Sequence, residues 1–196
     1  AEIAGIGAGS VYLYFKNKEH ILEEIFARAW STIEDNLNRL MNMQGRMKKY
    51  QISFPEVEEI LKEQKVGRLA TLNSNGYPYI TPVHFIYENN RIYIHGLSKG
   101  QKIDNIKNNS NVCFETEEML GLILDEKPCD VNTAYKSVIV LGKAKLIEGE
   151  KKIEALKAVV SKYTPHLANI SFPENMLKAT GVIEIEIIEA TGKKYE

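Results

Sequence analysis

The sequence predicts a mainly β protein, an antiparallel sheet curled into a barrel, with helices inserted at a few corners and a helical appendage at the N-terminus. Two observations carry this. Runs of alternating or near-continuous apolar residues recur from Gly67 onwards, and most are separated by short turns. A doubly wound parallel sheet would need a helix after nearly every strand, and helical periodicity interrupts this region only at its corners. The hydrophobic fraction of 44% beside 26% charged residues is that of an ordinary globular chain.

Taken in order, Asn17 is a helix N-cap. Ile21, Leu22, Ile25, Phe26, Ala29, Trp30, Ile33 and Leu37 then mark one long amphipathic helix. The run 41–49 breaks that period and reads as a linker. Ser53-Phe54-Pro55-Glu56 starts the next helix, with Glu56 three residues after a capping Ser53 and Pro55 at an early position. Val57, Ile60 and Leu61 form its buried stripe, and it ends near Gln64 or Lys65. A strand follows, then an Asn75-Gly76 turn, a strand through Thr81 to Tyr87, an Asn89-Asn90 turn, a strand at Arg91 to His95, a short helix, and a strand through Val112 to Glu115. The passage 119–133, with Pro128-Cys129-Asp130, reads as a loop lying over a site. Residues 135–147 are a long strand, 151–163 an amphipathic helix, 164–178 a loop or broken helix, and 181–188 the last strand. The expected division is 1–40 helical segment, 41–52 linker and 53–196 barrel domain.

Charge and composition exclude some classes. A formal net charge of −1 gives no global attraction to nucleic acid. No apolar run approaches the ~20 residues of a membrane helix, and no export leader is visible, so a cytoplasmic protein off the membrane is expected. Cys113 and Cys129 lack paired spacing and read as reduced thiols. Nothing near Cys129 activates it. His95 has no second ligand at metal spacing, so no metal site is expected. No Ser-His-Asp set, paired carboxylates or Gly-x-Gly-x-x-Gly stretch occurs.

The exit from the third strand concentrates chemistry. His95-Gly96-Leu97-Ser98-Lys99-Gly100-Gln101-Lys102 places glycine, hydroxyl and ammonium groups where a strand gives way to a helix. Such a loop suits a phosphate, and the same residues also make ordinary surface turns.

The N-terminal piece resembles the DNA-binding region of TetR-type repressors. The matching residues are Ala4-Gly5-Ile6, Gly7-Ala8-Gly9-Ser10, Tyr12-Leu13-Tyr14-Phe15 and Asn17-Lys18-Glu19. The resemblance implies that residues 8–14 are a recognition helix, but they contain no Lys or Arg. That family's first helix and most of its second have no counterpart in the chain. DNA binding by this chain is therefore not expected. A helical appendage that packs or mediates association is, and a longer parent would carry the complete head.

From about Met47 the chain resembles the FMN-binding split-barrel family, which includes pyridoxamine-phosphate oxidase relatives and Nim-type nitroimidazole resistance proteins. The resemblance rests on Val66-Gly67-Arg68-Leu69-Ala70-Thr71-Leu72, Gly76-Tyr77-Pro78-Tyr79, Thr81-Pro82-Val83-His84-Phe85, Arg91-Ile92-Tyr93-Ile94-His95-Gly96 and Gly100-Gln101-Lys102. It continues at Asn105-Ile106-Lys107-Asn108-Asn109, Val112-Cys113-Phe114-Glu115, Tyr135-Lys136-Ser137-Val138 and Ile187 to Lys193. It implies FMN bound at a homodimer interface. Thr81, Pro82, Val83, His84 and Phe85 would then run along the flavin ring and ribityl chain, partly through backbone groups. His95, Gly96 and Ser98 would lie at the phosphate with Lys102 as its cation. Tyr135, Lys136 and Ser137 would come from the partner. Phe85 and Tyr135 have barrel core as their plainer alternative. Gln101 stands where the oxidase branch carries an arginine, which points away from that activity and towards the Nim-type branch. No catalytic residue is fixed, and His84 is the candidate for substrate handling.

The resulting expectation is a flavin-dependent reductase or oxidase acting on a small, flat, electron-poor molecule. A flavin- or ligand-sensing transcriptional regulator with a TetR-like head is the alternative. The same fold holding haem or a deazaflavin is a third reading.

Overall fold

The computed structural model describes residues 17–42 and 49–196. The chain divides into two units, Ala1–Lys49 and Tyr50–Glu196. In the first, helix α1 spans Lys18–Asn42. Asn17 caps it, its Oδ1 accepting from His20 N at 2.8 Å. The expected recognition helix at 8–14 and residues 43–48 of the expected linker lie outside the described residues. Of the expected linker, α1 takes in Met41 and Asn42, and Ile52 N donates to Gly192 O at 3.1 Å.

In the second unit, helix α2 (Phe54–Glu63) opens as its sequence predicts. The Glu56 carboxylate accepts from Ser53 N at 2.7 Å and Ser53 Oγ at 2.6 Å. Strands β1 (Val66–Leu72), β2 (Pro78–Glu88) and β3 (Arg91–Leu97) follow, then helix α3 (Gln101–Asn108), β4 (Asn111–Ile123), β5 (Asn132–Ile147), helix α4 (Gly149–Tyr163), the short α5 (Glu174–Ala179) and β6 (Thr180–Tyr195). The strands close an antiparallel barrel in the order β1-β2-β3-β6-β5-β4. Turn chemistry sets the first two hairpins. Gly76 takes φ +84°, and Asn89 and Asn90 take +51° and +57°, the left-handed pair that matches the twist of the flanking strands.

Leu69, Phe85, Ile92, Ile94, Phe114, Val138, Val140 and Ile185 fill the barrel, and Val57, Ile60 and Leu61 of α2 join them. The Phe85 and Phe114 rings meet edge to face at 4.7 Å. A second cluster forms outside the barrel, where Ala155, Leu156 and Val159 of α4 cover Ile86, Tyr93, Ile147 and Val182. β6 is therefore buried on both faces from Val182 to Ile185, Glu184 included. The Glu184 carboxylate lies against Lys151, 3.2 Å from Lys145 and 3.8 Å from Arg91. Burial works to raise its pKa, and the two lysines hold it below the ordinary range.

The passage 119–133 corrects the sequence reading of a loop. β4 and β5 continue as paired strands through it, from Met119↔Tyr135 to Ile123↔Asn132, leaving only the tip irregular. A register shift between Met119 and Gly121 breaks the period of two, which is why the strand does not announce itself in the sequence.

One seam positions the site. β2 pairs with β3 only between Phe85 and Glu88, while residues 78–84 pair with β1 alone. β3 beyond Ile94 pairs only with β6. The sheet parts between 78–84 of β2 and 95–97 of β3.

Candidate functional site

Three polar groups lie on the elements that flank this parting. Thr81 is half-buried on the β2 face that carries Val83 and Phe85, and its Oγ1 is buried with no hydrogen-bond partner. His95, on β3, has a buried Nδ1 that is likewise unpartnered. Buried polar atoms are normally satisfied, so two orphans beside one seam point to a ligand. Lys102 in the first turn of α3 supplies charge: a Cβ built on Gly96 would stand 3.9 Å from its Nζ. Among the described residues no carboxylate pairs with Lys102. Burial lowers the Lys102 pKa. Burial, then the nearby His84 and Lys102, lowers that of His95, which favours a neutral imidazole. An imidazole and an ammonium with no anion of the protein's own can together donate to a phosphate, whereas Thr81 lies on the core-facing side of the pleat, opposite to His95. The Ser98 N–H donates to Ala179 O at 3.2 Å, which leaves its hydroxyl as the group it could offer a phosphate.

The pleat divides the run 81–85. Val83 and Phe85 point into the core, and Pro82 and His84 are exposed on the outer face. The structure thus gives the Phe85 ring its plainer role as core. Its backbone is also engaged. Tyr163 Oη accepts from Phe85 N at 2.9 Å and lies 2.7 Å from Phe85 O and 2.6 Å from Lys65 O. The Tyr163 ring stacks on His84 at 4.7 Å and 25°. Lys162 Nζ donates to Gln64 O at 2.6 Å and sits 4.4 Å over the Phe85 ring. Its pKa is pushed down to about 8, by burial and then by Lys65. The end of α4 therefore clamps the end of the β1–β2 ladder and braces His84. Tyr163 ends a helix that the sequence shows only as amphipathic, and no local signal ties it to Phe85.

The trio on β5 is divided in the same way. Tyr135 and Ser137 alternate with Lys136, whose Nζ is 3.1 Å from Glu63 and 3.0 Å from Glu118, on the side of α2. Within this chain, then, Lys136 is already neutralised. Register connects Ser137 and its strand to the outer face of the site. Rows Ile80–Ala70–Cys113–Leu141 and Pro82–Arg68–Glu115–Ile139 cross β2, β1, β4 and β5, with His84 beside Val66. Ile80, Val66, Ile139 and Leu141 on this face are exposed. Burial, then Glu115, raises the Cys113 thiol pKa, as suits an unreactive cysteine. Among the described residues no group of three His, Cys, Asp or Glu could hold a metal ion.

Gln101 is also accounted for. Its Nε2 donates to Asn73 Oδ1 at 3.2 Å and Asn105 Oδ1 at 2.9 Å, so it ties α3 to the first hairpin turn.

Comparison with known proteins agrees with this architecture. Residues 54–194 match the family model described as pyridoxamine 5'-phosphate oxidase. Among solved structures, a candidate 5-nitroimidazole antibiotic resistance protein from Bacteroides thetaiotaomicron is 28% identical, with a TM-score of 0.64 over 73% of this chain and 85% of that one. The flavocytochrome Anf3 from Azotobacter vinelandii is 25% identical, with a TM-score of 0.70 over 79% and 72%. An FAD- and haem-binding protein from Mycobacterium smegmatis shares the fold at 17% identity and a TM-score of 0.70, over 75% and 74%. No curated protein sequence matches the chain. With an antiparallel split barrel and a family match spanning nearly the whole second unit, the chain belongs to the pyridoxamine 5'-phosphate oxidase family.

Proposed function

We propose that this chain is an FMN-binding flavoprotein, an oxidoreductase of the Nim-like kind that acts on a small electron-poor molecule. The observation that carries the proposal is the parting between β2 and β3, where the buried His95 Nδ1 is orphaned and the Lys102 ammonium lies by Gly96. These groups fit a terminal phosphate, and Pro82 and His84 on the adjoining outer face suit the ribityl and ring portions. The 28% identical resistance protein and the flavocytochrome support the same reading by kinship.

A bound flavin would supply the electron transfer itself. The residues of the chain bind, orient and move protons. Lys102 supplies charge at the phosphate, and a neutral His95 offers one ring N–H. His84, exposed and held by the Tyr163 ring, is the imidazole placed to pass a proton to a reacting oxygen or nitrogen. Homodimerisation is part of the proposal. The exposed Val66, Ile80, Ile139 and Leu141 lie on the face that carries Pro82, His84 and Ser137, and burying such a face against a second copy would close the site. The reaction sheltered there is the two-substrate cycle of a reductase, with a nicotinamide or other soluble donor.

The test is FMN added to the purified protein, followed by anaerobic turnover with a nicotinamide donor and a nitroimidazole. Quenching of flavin fluorescence, a raised melting temperature and donor oxidation that depends on the nitro compound are expected. A melting temperature unmoved by saturating FMN contradicts the reading.

A further inference from the structure

A hydrogen-bond network under α3 centres on a buried side-chain amide. Asn105 is 2% exposed. Its Nδ2 donates to Thr71 Oγ1 at 3.0 Å and to Asn73 Oδ1 at 2.8 Å, and its Oδ1 accepts from Gln101. Thr71 Oγ1 in turn donates to Tyr79 O at 3.3 Å. Four elements meet in one chain of bonds: β1, the first hairpin turn, the start of β2 and the first turn of α3.

A leucine would fill the Asn105 position with less desolvation if packing were all that was needed, since a buried amide is tolerated only when its bonds are made. What the amide adds is direction. α3 spans only Gln101–Asn108, and its N-cap, Gly100 at φ +120°, makes no side-chain cap bond. Helices this short are marginal by themselves. The anchor of the first turn is Gln101, held by Asn73 and Asn105. Lys102 is the next residue, so fixing Gln101 towards the hairpin turns Lys102 towards Gly96 and His95. No ion pair among the described residues holds Lys102 there, and the aim of its ammonium is set through the backbone.

We infer that Asn105, Asn73 and Gln101 are positioning residues that aim Lys102 at the phosphate of the bound flavin. This rests on the proposal that the parting takes FMN. Gln101 is then an anchor for the helix whose next residue carries the charge, and not a weakened phosphate ligand.

The experiment measures dissociation constants for FMN and riboflavin, which differ only in the phosphate, on wild type, Gln101→Leu, Asn105→Ala, Lys102→Met and the double variant Gln101→Leu/Lys102→Met. Gln101→Leu and Asn105→Ala are expected to weaken FMN by about tenfold and riboflavin by less than about twofold, as when a charge-assisted hydrogen bond is misaligned. In the Lys102→Met background the Gln101 change is expected to add nothing, because both act through one ammonium. Gln101 is exposed, so its variant carries the test should Asn105→Ala fail to fold. Equal weakening of both ligands, no weakening, or full additivity with Lys102→Met overturns the inference and leaves the flavin reading standing. Wild type that binds neither ligand overturns both.

Discussion

Replacing Tyr163 by phenylalanine removes one oxygen and nothing else, which makes the clamp at the parting measurable. That oxygen accepts from Phe85 N and faces the carbonyls of Phe85 and Lys65, donating its single proton to one of them at a time. Two hydrogen bonds vanish in the variant. The Phe85 N–H loses the partner that ends the β1–β2 ladder, since register pairing stops at Val66↔His84. A buried donor left unsatisfied costs ~1–3 kcal/mol, so a loss of about 2 kcal/mol is expected. For a unit the size of Tyr50–Glu196 that lowers the melting temperature by about 4–8 °C. Thermal unfolding by circular dichroism, checked by urea denaturation with an unchanged slope, reads the effect. The ring remains, so the stack on His84 survives and FMN affinity should change less than stability does. A loss below about 0.5 kcal/mol, the level of an ordinary surface change, would refute the clamp.

Lys102→Met should weaken FMN by about 10–100-fold while sparing riboflavin, and should flatten the salt dependence of FMN binding; titration at two ionic strengths checks both. Glu184→Gln leaves Lys145, Lys151 and Arg91 around a neutral amide, and a loss of about 1–3 kcal/mol is expected because the two lysines are partly solvated. The folded pKa of Glu184 lies below its unfolded value, so its stabilisation is present above the ordinary glutamate range and is lost as pH falls through the folded pKa. Wild type should therefore lose its advantage over the variant in acid. The depressed His95 pKa has the same sign at higher pH. The unfolded chain protonates first, so stability falls as pH drops below the ordinary histidine value, and His95→Gln should remove that part of a stability–pH curve.

Much of the barrel is legible in the sequence because local chemistry agrees with the final fold. The Asn-Gly and Asn-Asn turns, the Ser53–Glu56 capping box and the period-two strands each specify one local answer. The extension of β4 is not legible, because the register shift between Met119 and Gly121 replaces alternation with an unbroken apolar run. The grouping of His95, Gly96 and Lys102, proposed to take the phosphate, is legible as a strand exit followed by a helix start. Two divisions were available from the pleat alone: adjacent strand residues face opposite sides, so neither 81–85 nor 135–137 can present every side chain to one ligand. The bracing of His84 by Tyr163 and the aim of Lys102 through Asn73 and Asn105 join residues far apart in the chain, and no spacing encodes such pairs.

The most direct measurement of whether the parting holds a flavin is the absorption spectrum of the protein as purified, with the released cofactor identified. A visible flavin spectrum that bleaches with dithionite is expected, with FMN in the denatured supernatant at about one per chain, matching one parting per barrel. A haem spectrum, or a colourless protein that takes up no FMN, would contradict the flavoprotein assignment.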